Sequence, residues 1–189
     1  MERAATAPDR VLVLCTANQC RSPLAGLLLR REVERRGLRV EVLTAGLGES
    51  GRPATPPTVE AAELIGLDLR DHQSRQVDRD LLAGADLVLG MERLHVREAV
   101  VLEPRVWRRA FTLREAVRRA EAEGPRSRAE PLRVWCTHLS AGRDRMSLMG
   151  ASTEDDVRDP TSDWSVDHAT TVSDLEELVQ RLVIYAWPA

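Results

Sequence analysis

Residues 11–23 read VLVLCTANQCRSP, and this stretch decides the fold. Its apolar start, with β-branched residues at alternate positions, is typical of a strand buried on both faces of a parallel sheet. The strand is expected to stop at Cys15. A helix is expected to start at Ser22-Pro23, because a hydroxyl residue at the N-cap and a proline in the first turn are favoured there. The stretch therefore predicts a strand, a short loop and a helix in immediate succession.

The loop between this strand and this helix has the composition of an anion site. Its backbone N–H groups can converge on an oxyanion, and the N-terminus of the helix adds a partial positive charge. Arg21 can bind two oxygens of a phosphate through its planar guanidinium. The same positive field favours the thiolate form of Cys15, which can attack a bound phosphate ester and form a cysteinyl-phosphate. The alternative is an unreactive buried cysteine, but the strand, the Ser-Pro helix start and Asn18 favour the phosphate site.

The rest of the chain continues the alternation of strands and helices. The predicted strands are residues 11–14, 40–43, 85–89 and 106–110. The predicted helices are residues 22–36, 58–65, 78–83, 92–102, 112–122, 131–139 and 171–185. This order favours an α/β fold, a three-layer sandwich with a central, mainly parallel four-stranded sheet and a phosphate-binding loop after the first strand. Residues 1–10 are expected to form a flexible N-terminal tail, and residues 11–189 a single domain.

Composition argues against several classes of protein. A net charge of −3 favours neither nucleic acid nor a membrane as the main partner. No stretch approaches the roughly 18 apolar residues of a membrane span, and residues 1–10 lack the pattern of a signal peptide. We therefore expect a cytoplasmic protein. Three cysteines in a reducing compartment do not indicate a disulfide framework.

Five further segments carry a resemblance to a known family. They are Thr44-Ala45-Gly46, residues 72–76, residues 86–92, residues 111–115 and Asp159-Pro160. Together with the cysteine loop, they are similar in type and order to segments of the low-molecular-weight protein tyrosine phosphatases, over nearly the whole chain. The resemblance implies a phosphatase without a cofactor that hydrolyses phosphate monoesters, above all phosphotyrosine in proteins. It implies Cys15 as the nucleophile, Arg21 as the phosphate clamp and Asp159 as the general acid.

The resemblance also assigns supporting residues. The positions expected to bind phosphate are Thr16, Ala17, Asn18, Gln19, Cys20, Arg21 and Ser22. The positions expected to hold the loop in shape are Asn18, Ser22, Thr44 and His72. Ser22 can also donate a hydrogen bond to the Cys15 thiolate. The expected partners are a phosphorylated protein or a small phosphate ester, with phosphate or another oxyanion in the loop.

The remaining acids and reactive side chains have simpler interpretations. Asp155 and Asp156 are expected to form a solvated acidic turn beside Asp159. Cys20 can form a reversible disulfide with an oxidised Cys15, or it can simply pack beneath the loop. Cys136 is expected in the core. The other histidines, His95, His138 and His168, show no ligand spacing, so no metal is predicted.

Two departures from the family pattern bear on the loop and the substrate. Thr161 and Ser162 follow Asp159-Pro160 where the family often has two aromatic residues, and Trp164 is the nearest aromatic. Ala17 replaces a common glycine, and is strained if its φ is positive. Two rival functions therefore remain: an arsenate reductase that uses a small-thiol reductant, and a non-catalytic phosphate-binding regulatory module.

Overall fold

A computed structural model describes residues 7–163 and 166–189. Its sheet has four parallel strands, β1 Asp9–Cys15, β2 Val40–Gly46, β3 Leu87–Gly90 and β4 Ala110–Thr112, in the order β2-β1-β3-β4. The chain leaves β1 toward one side of the sheet and β3 toward the other. The crevice at the carboxyl ends of β1 and β3 is therefore a topological switch point, where open α/β sheets bind their ligands.

Helices cover both faces of this sheet. The helices are α1 Arg21–Arg35, α2 Pro56–Leu64, α3 Arg79–Gly84, α4 Arg93–Leu102, α5 Leu113–Glu123, α6 Leu132–Leu139 and α7 His168–Ala186. Val11 and Val13 pack in one core cluster with α1, α5 and α7, whereas Leu12 and Leu14 pack in another with α3 and α4. Alternate side chains of β1 thus face opposite layers, as expected of a strand buried on both faces. The predicted α/β sandwich around a parallel four-stranded sheet is confirmed.

Each predicted strand differs from the observed one at one or both ends, and the first and fourth strands show why. Strand β1 begins at Asp9, so the last two residues of the predicted tail belong to the sheet, while residues 1–6 lie outside the described part of the chain. The fourth strand is Ala110–Thr112 rather than residues 106–110, because Pro104–Arg109 forms a 3₁₀ helix. That helix has proline in its first turn, and the Glu103 carboxylate at its N-cap accepts from the Arg105 N–H.

All seven predicted helix starts also differ from the observed starts, by one to three residues, and two of them have a clear physical reason. Helix α1 begins at Arg21 with Cys20 at its N-cap, so Ser22 lies inside the first turn instead of capping it. Helix α7 begins at His168, earlier than predicted, because Asp167 caps it by accepting from the Thr170 N–H at 2.6 Å. Among the described residues, no helix has the length and apolar character needed to cross a bilayer.

Candidate active site

Cys15 ends β1 at the switch point, and the loop that follows wraps around its sulfur. The side chain is buried, and Sγ accepts two hydrogen bonds, from the Asn18 N–H at 3.2 Å and from the Ser22 hydroxyl at 3.0 Å. The backbone N–H and the hydroxyl thus both donate to the sulfur that the loop encloses. The Ser22 hydroxyl is thus engaged inside the loop, which explains why it does not cap α1.

Asn18 is the central brace of this loop. Its φ is +54°, the one positive φ outside glycine among the described residues, so the left-handed turn falls on Asn18 and not on Ala17. Asparagine tolerates this conformation better than most residues. Its Nδ2 donates to Ser22 Oγ at 2.9 Å, and its Oδ1 accepts from the Arg75 N–H at 2.9 Å. The Asn18 carbonyl also accepts from His72 Nε2 at 2.7 Å, which places His72 against the loop.

The end of β2 lets the loop pass close to it. A Cβ at Gly46 would lie 2.7 Å from the Asn18 nitrogen and 2.8 Å from the Thr16 oxygen, so only glycine fits there. Just beyond, the Thr16 carbonyl accepts from the Leu47 N–H at 2.8 Å. The Thr44 methyl group faces Gly26 on α1. Among the hydrogen bonds of the described residues, none joins the Thr44 hydroxyl to the loop.

Arg21 is buried beneath the loop and contacts two carboxylates. Its Nη1 donates to the Glu92 carboxylate and to the Val157 carbonyl, the latter at 2.9 Å. Its Nη2 donates to Asp159 Oδ2 at 2.7 Å. The structure therefore brings Cys15, Arg21 and Asp159 into one cavity of about 450 Å³, the cleft. The cleft is lined by Cys15, Thr16, Ala17, Gln19, Cys20, Arg21, Thr55, Glu92, Asp159, Thr161 and Ser162.

Several side chains that line the cleft carry a hydroxyl or an amide group. Thr161 and Ser162 lie at the positions where the sequence lacked the expected aromatic pair. Gln19 is held in place because its Nε2 donates to the Pro53 carbonyl at 2.8 Å. Among the described residues no aromatic side chain lines the cleft, and Trp164 lies outside the described residues. In the same part of the chain, no three potential metal-ligating side chains come together.

Asp155 and Asp156 anchor the segment that carries Asp159, residues 155–163, called the acid loop below. The expectation of a solvated turn was wrong, because Asp155 is buried and accepts from Arg93 at 2.7 Å and from Arg118 at 2.8 Å. Burial alone would raise the pKa of Asp155, but the bonds from the two arginines lower it below its ordinary value. Asp156 accepts from the Arg93 N–H at 2.8 Å. These bonds fix the acid loop to the start of α4.

His95 and Glu92 are functional-site residues that sequence reasoning missed. Glu92 follows the end of β3 and lines the cleft, and His95 lies in the first turn of α4 with no exposed surface. Nδ1 of His95 lies 2.9 Å from the Glu92 nitrogen, and Nε2 lies 3.0 Å from Thr16 Oγ1. Burial, and secondarily Arg21, lowers the pKa of His95 to about 3. The position of Glu92 after a strand end at the sheet's switch point was the available sequence signal.

The two other cysteines are buried thiols. Cys20 lies in the loop, where burial raises its pKa to about 11 against a smaller opposing contact from Thr58. Cys136 is fully buried in the core, and burial raises its pKa as well. Cys136 lacks the electropositive, exposed surroundings of a reactive cysteine, whereas Cys20 lines the same cleft as Cys15.

Comparisons with known proteins agree with this geometry. A family model described as low molecular weight phosphotyrosine protein phosphatase matches residues 10–131, a range that includes Cys15 and Arg21 and ends before Asp159. The probable low molecular weight protein-tyrosine-phosphatase EpsP of Ralstonia nicotianae is 37% identical over 106 residues, 56% of this chain and 70% of that protein. The protein-arginine-phosphatase of Bacillus subtilis is 38% identical over 108 residues, 57% of this chain and 71% of that protein.

A solved structure is similar over most of the chain. The low molecular weight protein tyrosine phosphatase from T. tengcongensis superposes with a TM-score of 0.68 at 28% identity. The superposition covers 93% of this chain and 97% of that one. The similarity therefore extends well beyond residue 131 and takes in most of the chain outside the family match.

Proposed function

We propose a two-step phosphatase mechanism for this chain, which belongs to the low molecular weight phosphotyrosine protein phosphatase family. The chain is accordingly a cysteine-dependent phosphatase, a hydrolase of phosphate monoesters. The residue roles below are our proposal. The observation that carries them is the meeting of a doubly hydrogen-bonded Cys15 sulfur, a buried Arg21 and the Asp159 carboxylate in one cleft.

Phosphate binding is assigned to the loop and Arg21. Both N–H groups of Arg21 Nη1 are taken by Glu92 and Val157. Among the described residues no acceptor is bonded to Nε, so Nε and Nη2 can form a two-donor fork on a phosphate. Asp159 occupies one of the two N–H donors of Nη2, and we propose that an incoming phosphate competes with it for that donor. Substrate binding therefore releases Asp159 from Arg21.

The first chemical step transfers the phosphoryl group to Cys15. The thiolate attacks phosphorus, a sulfur–phosphorus bond forms, and the phosphorus–oxygen bond to the leaving group breaks. Asp159 donates its proton to the departing oxygen as the general acid. In the second step a water molecule attacks phosphorus and gives a proton to Asp159. An oxygen–phosphorus bond forms, the sulfur–phosphorus bond breaks, inorganic phosphate leaves and the Cys15 thiolate is regenerated.

The substrate that we propose is phosphotyrosine in proteins. Support comes from the names of several relatives, including EpsP and the Wzb phosphatase of Escherichia coli, which are tyrosine phosphatases. The relative from Bacillus subtilis is a protein-arginine-phosphatase, so phosphoarginine is the informative competitor. The chain is expected to act in the cytoplasm, where cysteine thiols stay reduced as Cys15 requires.

A substrate panel with two variants tests the proposal. Wild type should hydrolyse an aryl phosphate and a phosphotyrosine peptide faster than phosphoserine or phosphoarginine peptides, and should not reduce arsenate in the presence of a small thiol. Cys15→Ser should abolish hydrolysis, because a serine hydroxyl at its ordinary pKa is a poor nucleophile. Cys136→Ala, far from the cleft, is the matched control and should keep its activity. Residual activity of Cys15→Ser within tenfold of wild type would exclude Cys15 as the nucleophile.

A further inference from the structure

A buried histidine lies directly under the cysteine loop, and the two-step mechanism does not use it. His95 has no exposed surface, yet both of its ring nitrogens are within hydrogen-bond distance of a partner. Nδ1 lies 2.9 Å from the Glu92 nitrogen, and Nε2 lies 3.0 Å from Thr16 Oγ1. Thr16 is the residue after the nucleophile. His95 therefore links the start of α4 to the wall of the cleft.

The position of the proton on His95 follows from its partners. A backbone N–H can only donate, so Nδ1 must accept from Glu92 and carries no proton. The ring is neutral near pH 7, because burial and the nearby Arg21 lower its pKa to about 3. A neutral imidazole has one N–H, which here must be on Nε2. His95 therefore donates its proton to the Thr16 hydroxyl oxygen.

This arrangement orients the Thr16 hydroxyl as a donor. Because its oxygen already accepts from His95, the hydroxyl proton points elsewhere. Among the bonds of the described residues, the contact with His95 is the one bond of this side chain. Thr16 is exposed and lines the cleft beside Arg21 and Asp159. Its backbone is fixed, since its carbonyl accepts from Leu47 and from Gly48, the latter at 2.9 Å.

We propose that the Thr16 hydroxyl is a substrate-binding group that donates a hydrogen bond to a phosphoryl oxygen, and that His95 is its positioning residue. The inference rests on the proposed function, because it needs a phosphate in the cysteine loop. Glu92 contacts both side chains that are proposed to donate hydrogen bonds to phosphate, Arg21 directly and Thr16 through His95. Its carboxylate holds Arg21, and its backbone N–H sets the proton of His95 and through it that of Thr16.

Inorganic phosphate is the direct probe, because it has no leaving group to complicate the contact. Its binding should be measured by calorimetry and by competitive inhibition of aryl phosphate hydrolysis. Thr16→Val keeps the shape and removes the hydroxyl, so phosphate should bind on the order of tenfold to a hundredfold more weakly, as for loss of a hydrogen bond to a charged group. Thr16→Ser restores the hydroxyl and should bind phosphate nearly as wild type does.

A second substitution tests His95. His95→Asn keeps an acceptor for the Glu92 N–H but removes the donor to Thr16, so phosphate binding should weaken. In a Thr16→Val background, His95→Asn should weaken phosphate binding little further, because the two residues act through one contact. Thermal unfolding of each variant separates this effect from loss of fold.

The outcomes distinguish this inference from the proposed function. If wild type hydrolyses aryl phosphate but Thr16→Val binds inorganic phosphate within about twofold of wild type, the Thr16 contact is wrong and the phosphatase assignment stands. A loss confined to the affinity for a phosphotyrosine peptide, with phosphate binding unchanged, also overturns it. Equal losses of phosphate affinity in Thr16→Val and Thr16→Ser would also refute the Thr16 contact. If wild type hydrolyses no phosphate ester, the proposed function itself fails.

Discussion

Acidification is expected to destabilise the fold through His95. The pKa of this buried ring is about 3, because burial and Arg21 oppose its charged form more strongly than Asp156 and Asp159 support it. In the unfolded chain the ring returns to an ordinary value of about 6.5. The folded-state pKa is the lower one, so the unfolded state takes up the proton first as the pH falls. Stability is therefore lost progressively below about pH 6.5. Well below pH 6.5 the free energy of unfolding falls by about 1.4 kcal/mol per pH unit, so the loss between pH 7 and pH 5 is about 2 kcal/mol.

Urea unfolding of wild type and His95→Asn at the two pH values isolates this contribution. Both proteins will lose stability for other reasons, but wild type should lose about 2 kcal/mol more than the variant. His138→Asn is the matched control, because that ring is about half exposed and lies far along the chain in α6. Because His138 Nδ1 lies 3.2 Å from the Glu130 carboxylate, this variant should lose at least as much stability as wild type. If wild type and His95→Asn lose equal amounts, His95 is not held neutral by the fold, and the proton assignment to Thr16 fails with it.

Three further predictions concern the cleft. Arg21→Lys should lose phosphate binding and turnover on the order of a hundredfold or more, because an ammonium cannot form the planar fork; near-normal turnover would refute the clamp. Mild peroxide should produce a Cys15–Cys20 disulfide that dithiothreitol reverses, whereas Cys20→Ser should lose its activity irreversibly. If both proteins recover activity equally, Cys20 has only a packing role. Asp159→Asn should slow single-turnover phosphorylation by phenyl phosphate on the order of 10²–10⁴-fold, and by dinitrophenyl phosphate much less. If Asp163→Asn shows this dependence on the leaving group and Asp159→Asn does not, the general acid is Asp163.

The sheet was predictable where each strand carries its own pattern. Strand β1 buries side chains on both faces, and its apolar run stands out in the sequence for that reason. Strand β4 is too short, at three residues, for any periodicity to mark it. The apolar residue Val106 there suggested a strand, but its burial comes from the 3₁₀ helix that packs it against α4. A short buried run does not by itself distinguish these two structures.

The cysteine loop was predictable because its chemistry is contiguous, whereas its supports come from distant parts of the chain. Arg21 meets Glu92 across 71 residues, and Thr16 meets His95 across 79. With 30 acidic residues interleaved among 27 arginines, the sequence cannot say which pairs the fold brings together. Asp155 shows the consequence, since it has the sequence context of a solvated turn and is nevertheless buried between two arginines. Only the sheet's switch point, known once the strand order is known, would have drawn attention to Glu92.

The two carboxylates on Arg21 are held differently, and the difference decides which of them a phosphate displaces in the proposed mechanism. Glu92 is fixed by its backbone at the start of α4, where its N–H donates to His95. The Asp159 carboxylate is attached within the acid loop, because its Oδ1 accepts from the Thr161 hydroxyl at 2.7 Å and from the Thr161 N–H at 3.0 Å. A phosphate that takes the Nη2 donor therefore frees Oδ2 while Thr161 keeps the carboxyl group in the cleft. In the proposed mechanism Oδ2 is then the oxygen that carries the proton to the leaving group, and Glu92 keeps the guanidinium aligned on the phosphate.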